Sequence, residues 1–357
     1  MSEHGGNVLE MALKIGTDAE NIIDFSANIN PLGMPESLKT AIVAQLNRAE
    51  RYPDVEYRQL HSALARVHHC QPENIMAGNG ATELIYAIVH HLQPRTALLL
   101  TPGFAEYRRA LQRVGCQISD YAMSEADGFQ PDERLLDVLA QSRPDCLFLA
   151  TPNNPTGLMP DAALLQAIVQ CCHQYQIALI VDEAFIDFLP EATGLTPQLA
   201  AFPRLYVLRS LTKFFAIPGL RLGYLLSGDQ VAIAQMKQLR EPWTINAFAA
   251  LAGEIILDDH AYIQATHQWL AQQQRWLYQQ LCSLPALRVW QGAANYIFLR
   301  CLKPEIDLQQ ALLQHHILIR HCANYPALTR DHYRVAVKSA ADNQRLITAL
   351  QQVLGHG

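Results

Sequence analysis

Charge is scarce in this chain: 17% of its 357 residues are Asp, Glu, Lys or Arg, the formal net charge is −6, and no run of Lys and Arg exceeds a pair. The phosphate-neutralising footprint of a nucleic-acid binder is therefore missing. No stretch of 18 residues is continuously apolar, so no membrane span is expected. The opening residues, "MSEHGGNVLEMALKIG", lack a basic region followed by an apolar one. These absences predict a soluble, cytoplasmic protein with neither nucleic acid nor membrane as partner. The eight cysteines are scattered without a C-x-x-C pair, which predicts reduced, mostly buried thiols. The paired histidines (His68-His69, His90-His91, His315-His316) lack the helical partner spacing of a zinc site, so no metal is expected.

What is present is apolar bulk: half the residues are hydrophobic, enough for two domains around a large core. Short apolar runs ("TALLLTP", "CQISDYAM", "DCLFLATP", "IALIVDEAF", "LYVLRS", "GYLLS") read as buried strands. Helical patterns such as "ATELIYAIVHHL" and "DAALLQAIVQCCHQYQ", the second opened by a capping Asp161, alternate with them. The alternation predicts an α/β fold, a mostly parallel sheet sandwiched by helices, with ligands at the carboxyl ends of its strands. Two helices are expected over 35–51 and 57–69, and one long connector helix from Asp229 through the 260s. The strand patterns "LRVWQGAANYIFLRC", "HHILIRHC" and "YRVAVKSA", closed by the helix "DNQRLITALQQVL", predict a smaller α+β domain. The expected division is an N-terminal segment over 1–35, a large domain over 36–240, and connector plus small domain over 241–357.

Four stretches carry chemistry. "GNGATE" is a glycine turn opening a helix, where free N–H groups and the helix dipole favour a phosphate; alone it reads as an ordinary capped turn. "LATPNNPTG" ends a strand in a rigid turn with two amides, Asn153 and Asn154, which either satisfy the turn or face a ligand. In "IALIVDEAFIDF", Asp182 follows five apolar residues, and a buried carboxylate there needs loop amides or a cationic ligand group. "RSLTKFFAIPGLRLGY" sets Lys213 after Ser210 and Thr212, with Arg221 eight positions on. A surface lysine is one reading. A lysine with a lowered pKa that attacks a carbonyl, beside a hydroxyl-and-arginine phosphate site, is the other.

The order and spacing of these four stretches decide between the readings, because together they resemble the fold-type I pyridoxal-phosphate enzymes of the class I/II aminotransferase superfamily, over nearly the whole chain. The resemblance implies pyridoxal 5'-phosphate as cofactor, bound through its aldehyde to Lys213. It implies Asp182 on the ring nitrogen, Asn154 donating to the phenolic oxygen, and Phe104 of "TPGFAEY" stacked on the ring. It places the phosphate on Ala81 and Thr82 with Ser210, Thr212 and Arg221. It also implies a homodimer in which Tyr52 of "RYP" reaches the neighbouring subunit's phosphate, and Arg334 of "HYRVAVKS" as the clamp on the substrate carboxylate. One departure is Phe185, where many relatives have tyrosine; a donor to the phenolic oxygen is missing, which leaves the phenolate less stabilised.

Within that superfamily the chain is similar to histidinol-phosphate aminotransferases, but "HGGN" and "SANINPLG", with Ile29 where those enzymes commonly carry glutamate, resemble L-threonine-O-3-phosphate decarboxylases of cobalamin biosynthesis. This second resemblance implies a small phosphorylated amino acid as substrate and loss of CO2. The residues expected at the substrate phosphate are Arg320, Asn30, and the segment His4, Gly5, Gly6, whose other reading is a frayed terminus. A transaminase using 2-oxoglutarate is the alternative.

Overall fold

The computed structural model describes residues 5–192 and 194–355. Its centre is a seven-stranded sheet. In spatial order the strands are Ile75–Gly78, Gly223–Ser227, Leu205–Ser210, Ala178–Asp182, Cys146–Ala150, Thr96–Thr101 and Gln117–Ala122. Only Gly223–Ser227 runs antiparallel to its neighbours. The continuous apolar runs follow from burial on both faces. Successive side chains point to opposite sides of a strand. Leu98, Leu147, Leu179 and Val207 accordingly enter one core, and Leu99, Phe148, Ile180 and Leu208 the other.

Some expectations change. Gln117–Ala122 is an edge strand with no buried residue, not a buried one. Ile75–Gly78 is a buried strand that four residues were too few to announce. The helix expected over 35–51 is α-helical only over Glu36–Ala44 and then tightens into a 3-10 turn, Leu46–Glu50. The single connector helix is three: Gln230–Leu239, Ala247–Ile255 and His260–Cys282. Arg240, the C-cap of the first, is extended, two residues before Pro242. Asn246 then caps Phe248 and Ala249, and Asp259 caps Tyr262, so each piece restarts with its own N-cap. Ala247–Ile255 lies so close to Arg58–His68 that a Cβ on Gly253 would sit 2.3 Å from Leu60.

The carboxyl-terminal part builds a four-stranded antiparallel sheet, ordered Arg320–His321, His332–Ala336, Tyr296–Cys301, Leu287–Trp290. The N-terminal segment joins this part: Ile23–Asp24 pairs in parallel with Ile317–Leu318, beside a short helix, Val8–Ile15, that the sequence reading did not foresee.

Candidate active site

The strand ends converge as a parallel sheet requires. Asp182 ends one central strand and Ser210 the next, with Asp182 in register with Leu208. Thr212 and Lys213 follow immediately. Asp182, Ser210, Thr212, Lys213, Asn154, Phe104, Ala81, Thr82 and Arg221 line one small pocket, so the predicted cofactor residues are brought together. That pocket shares Lys213, Asn154 and Arg221 with a wider cavity of about 500 Å³, whose wall includes Arg320, Arg334 and the N-terminal segment from Gly5.

Burial brings Lys213 closer to the neutral amine than a surface lysine is. Desolvation lowers its pKa to about 8; Asp182 opposes that shift, and the cations Arg221 and Arg334 add to it. Its Nζ donates to Thr212 Oγ1 at 3.0 Å, and Thr212 Oγ1 lies 2.8 Å from Ser210 Oγ. Asp182 is driven the other way, upward, by the same burial, while the Tyr107 hydroxyl, the Ala184 N–H and Lys213 hold its charged form. Tyr107 donates to Oδ2 at 2.5 Å and Ala184 N–H to Oδ1 at 2.9 Å.

The residues present fit a phosphorylated pyridine aldehyde. Arg221 is folded against the start of helix Gly80–Leu92, where a Cβ on Gly80 would lie 2.3 Å from its Nη2. A guanidinium pressed against a helix N-terminus sets positive end against positive end, and an anion at that place satisfies both. Gly223 has no spare room either: its Cβ would meet Ala81 N at 2.6 Å. The hydroxyls of Ser210 and Thr212 and the amine of Lys213 complete the donor set.

The scaffold behind this wall is a buried ion cluster. Arg209, one residue before Ser210, pairs through Nε with Glu183 at 2.8 Å and through Nη1 with Asp187 at 2.9 Å. Glu183, one residue after Asp182, also accepts from Leu195 N–H at 2.7 Å. A Cβ on Gly194 would strike its carboxylate at 2.2 Å. The sequence reading passed over both residues because they flank the chemistry.

On the facing wall, Arg334 donates to the Asn154 side-chain carbonyl and, at 2.8 Å, to the Ser26 carbonyl. With Tyr325 also donating to Asn154 Oδ1 at 3.2 Å, the amide nitrogen is the end of Asn154 left to donate toward a ligand. No carboxylate among the described residues forms an ion pair with Arg334. Arg320 sits opposite Arg334 in the antiparallel register. It donates to Asn324 at 2.8 Å and lies over the Tyr325 ring.

Asn30 does not fit its expected role. Its amide is consumed by Phe214 O and Thr266 Oγ1, both at 2.8 Å, and its carbonyl by Leu32 N–H, so it is a structural bracket outside the cavity wall. Asn28, two positions earlier, lines the cavity instead, with a buried Oδ1 that has no partner among the described residues. The segment bends at Ser26 and Ala27, and Ile29 N–H bonds the Ala27 carbonyl at 2.9 Å, so Asn28 and Asn30 face different surroundings. Gly5 lines the cavity against Ser26, and Gly6 N–H donates to Ser26 Oγ at 2.8 Å; His4 lies outside the described residues. Tyr52 is not at the Lys213 pocket of its own chain. It is 80% exposed, stacks on Trp243 at 4.6 Å, and lines a separate hollow with Arg51 and Arg58. Phe185 is buried edge-on to Tyr296 at 4.9 Å. Tyr107, Glu106 and Tyr325 also line these pockets, and the sequence reading missed them. For Glu106 and Tyr107 the available signal was "AEY" directly after the expected stacking residue Phe104.

Among the described residues no helix is long and apolar enough to cross a membrane, and no cluster of His, Cys, Asp and Glu could hold a metal ion. The chain is 54% identical to a threonine-phosphate decarboxylase of Salmonella typhimurium, over 99% of this chain and 97% of that one. It is 31% identical, over 99% of its own length and 41% of the other's, to an adenosylcobalamin biosynthesis bifunctional protein of Leptospira interrogans. The fold matches the crystal structure of a histidinol-phosphate aminotransferase from Clostridium acetobutylicum with a TM-score of 0.87 and 28% identity, over 93% of this chain and 99% of that one. The family model described as aminotransferase class I and II matches residues 20–350, and the chain belongs to that family.

Proposed function

We propose that this chain is a pyridoxal-phosphate-dependent decarboxylase that converts L-threonine O-3-phosphate to (R)-1-amino-2-propanol O-2-phosphate and CO2, in adenosylcobalamin biosynthesis. The observation that carries the reading is the pair Arg320 and Arg334, cross-strand neighbours that line one cavity with Lys213. Two guanidiniums on one cavity wall suit a ligand with two anionic ends a few bonds apart. Phosphothreonine is such a molecule. The identity to the Salmonella decarboxylase, about twice that to the Clostridium aminotransferase structure, supports the same choice.

Lys213 would hold the cofactor by its aldehyde, Asp182 by its ring nitrogen, Asn154 by its phenolic oxygen and Phe104 by its face. Ala81, Thr82, Ser210, Thr212 and Arg221 would hold the phosphate. Bound there, pyridoxal phosphate supplies a cationic ring that takes up the electron pair of a bond broken perpendicular to its plane. Arg334 binds the substrate carboxylate and Arg320 its phosphate, with Asn28 and Gly5 on the same wall. Anchoring both ends fixes the rotation of the substrate about its nitrogen–Cα bond, and that rotation selects which bond breaks. Lys213 Nζ, buried and able to change protonation near neutral pH, carries the proton that Cα gains after CO2 leaves. The protein acts as a homodimer in this reading, with exposed Tyr52 offered to the cofactor phosphate of the second subunit.

The test is direct. Purified protein loaded with pyridoxal phosphate releases CO2 from phosphothreonine and forms aminopropanol phosphate, followed by 14C release and mass spectrometry. Consumption of 2-oxoglutarate with histidinol phosphate, without CO2, would establish the aminotransferase instead.

A further inference from the structure

Asp182 is ordinarily the end of the account of the ring nitrogen, yet a bare carboxylate on a central strand has two defects as a partner. Burial favours its neutral form, and its plane is free to rotate about Cβ–Cγ. We propose that the Tyr107 hydroxyl is a positioning group that orients the Asp182 carboxylate toward the ring nitrogen of the bound cofactor. The inference rests on the reading that the cofactor occupies this pocket, and not on which bond of the substrate breaks.

The placement follows from the sequence upward. "TPGFAEY" turns off the strand Thr96–Thr101 into the helix Ala105–Arg113, whose first turn carries Tyr107. Its ring is buried, stacked on Phe148 of the neighbouring strand at 4.8 Å and 18°, with Phe104 edge-on at 5.6 Å and 79°. These contacts leave the hydroxyl one direction, to Asp182 Oδ2 at 2.5 Å. The other oxygen, Oδ1, takes the Ala184 N–H at 2.9 Å. Two donors from different elements thus hold one carboxylate oxygen each, and rotating the group would break both bonds. A carboxylate has about four acceptor positions, so a further one remains on the pocket side for a ring N–H.

The charges around the pair support this geometry. Asp182 faces Tyr107, the Ala184 N–H and Lys213, all three favouring its ionised form against burial. Tyr107 faces Asp182, Tyr296 and Tyr325, and burial with these neighbours pushes its phenol well above the ordinary tyrosine range. The phenol therefore remains a donor at every pH the protein meets. A hydrogen bond from a neutral donor to a buried carboxylate is among the stronger kinds.

Tyr107→Phe removes the hydroxyl and keeps the ring against Phe148. Apoprotein of both forms is titrated, by fluorescence quenching, with pyridoxal phosphate and with its analogue bearing CH in place of the ring nitrogen. Tyr107→Phe is expected to bind pyridoxal phosphate about tenfold more weakly or worse, the size of a hydrogen bond to a charged group, and the analogue with unchanged affinity. Equal losses for both compounds would make Tyr107 a packing residue, and no loss for either would make the hydroxyl idle; each result overturns the inference. Wild-type protein that binds neither compound would instead overturn the cofactor reading beneath it.

Discussion

Two buried arginines, Arg209 and Arg334, lie on opposite sides of the Lys213 pocket and have opposite chemical settings. Arg209 stands behind the cofactor wall with Glu183 and Asp187 as ion partners. Arg334 stands in front of it and donates to two neutral carbonyls, those of Asn154 and Ser26. Both are about 5% exposed or less. A cation taken out of water costs several kcal/mol unless the fold supplies its counter-charge. The fold supplies it for Arg209, whose work is then complete in the empty protein. It withholds it from Arg334, whose Nε has no hydrogen-bond partner among the described residues. Burial alone does not separate a scaffold arginine from a binding one; the sign of what surrounds it does.

The largest effect that would sharpen this contrast is on stability. Arg209→Met leaves Glu183 and Asp187 together without their cation, in surroundings that already push both carboxyls toward the neutral form by desolvation. Breaking a buried pair from one side costs about 3–5 kcal/mol, so chemical denaturation should show a loss of that size. A loss under about 1 kcal/mol would mean the cluster is not what ties the two strand ends together. Next in size is Arg334→Gln, which should weaken kcat/KM for phosphothreonine by about 2–4 kcal/mol, or roughly 30- to 1,000-fold, by steady-state assay. Its denaturation midpoint should hold or rise, since the cation removed has no counter-charge. Destabilisation like that of Arg209→Met would erase the distinction.

The same contrast explains what could be read from the sequence. The cofactor wall was legible because each of its residues sits in a short local motif at a strand end, where a turn or a buried carboxylate needs a reason within ten residues. Asp182, Asn154, Lys213 and Arg221 were located this way, and they line one pocket. Arg320 and Arg334 could be singled out, but their facing each other depends on a strand register fourteen residues apart that no local pattern specifies. Asn30 was expected at the substrate phosphate and Asn28 was not considered, because the contacts that take Asn30 away come from Phe214 and Thr266, far along the chain. Glu183 and Arg209 were invisible for a different reason: a charged residue next to a catalytic one reads as its neighbour until the partner is known. The connector was drawn as one helix although Pro242 was a visible break, and the caps that restart it, Asn246 and Asp259, are single residues.

The smallest expected effect is a shift in pH dependence, and it separates the two arginines without touching substrate. Lys213 must be neutral to attack an aldehyde, so uptake of pyridoxal phosphate by the apoprotein should accelerate as pH rises through about 8. Arg334 is one of the two cations that help burial lower that pKa, whereas Arg209 is not among them. Removing a nearby cation makes the ammonium easier to keep, which raises the pKa. In Arg334→Gln the midpoint of the uptake rate, followed by stopped-flow absorbance, should therefore move to higher pH. In Arg209→Met, measured where the protein remains folded, it should stay in place, because that charge is spent on Glu183 and Asp187. If both variants shifted it equally, the cation behind the wall would be as exposed electrostatically as the one in front, and the ion cluster would not be neutralising it.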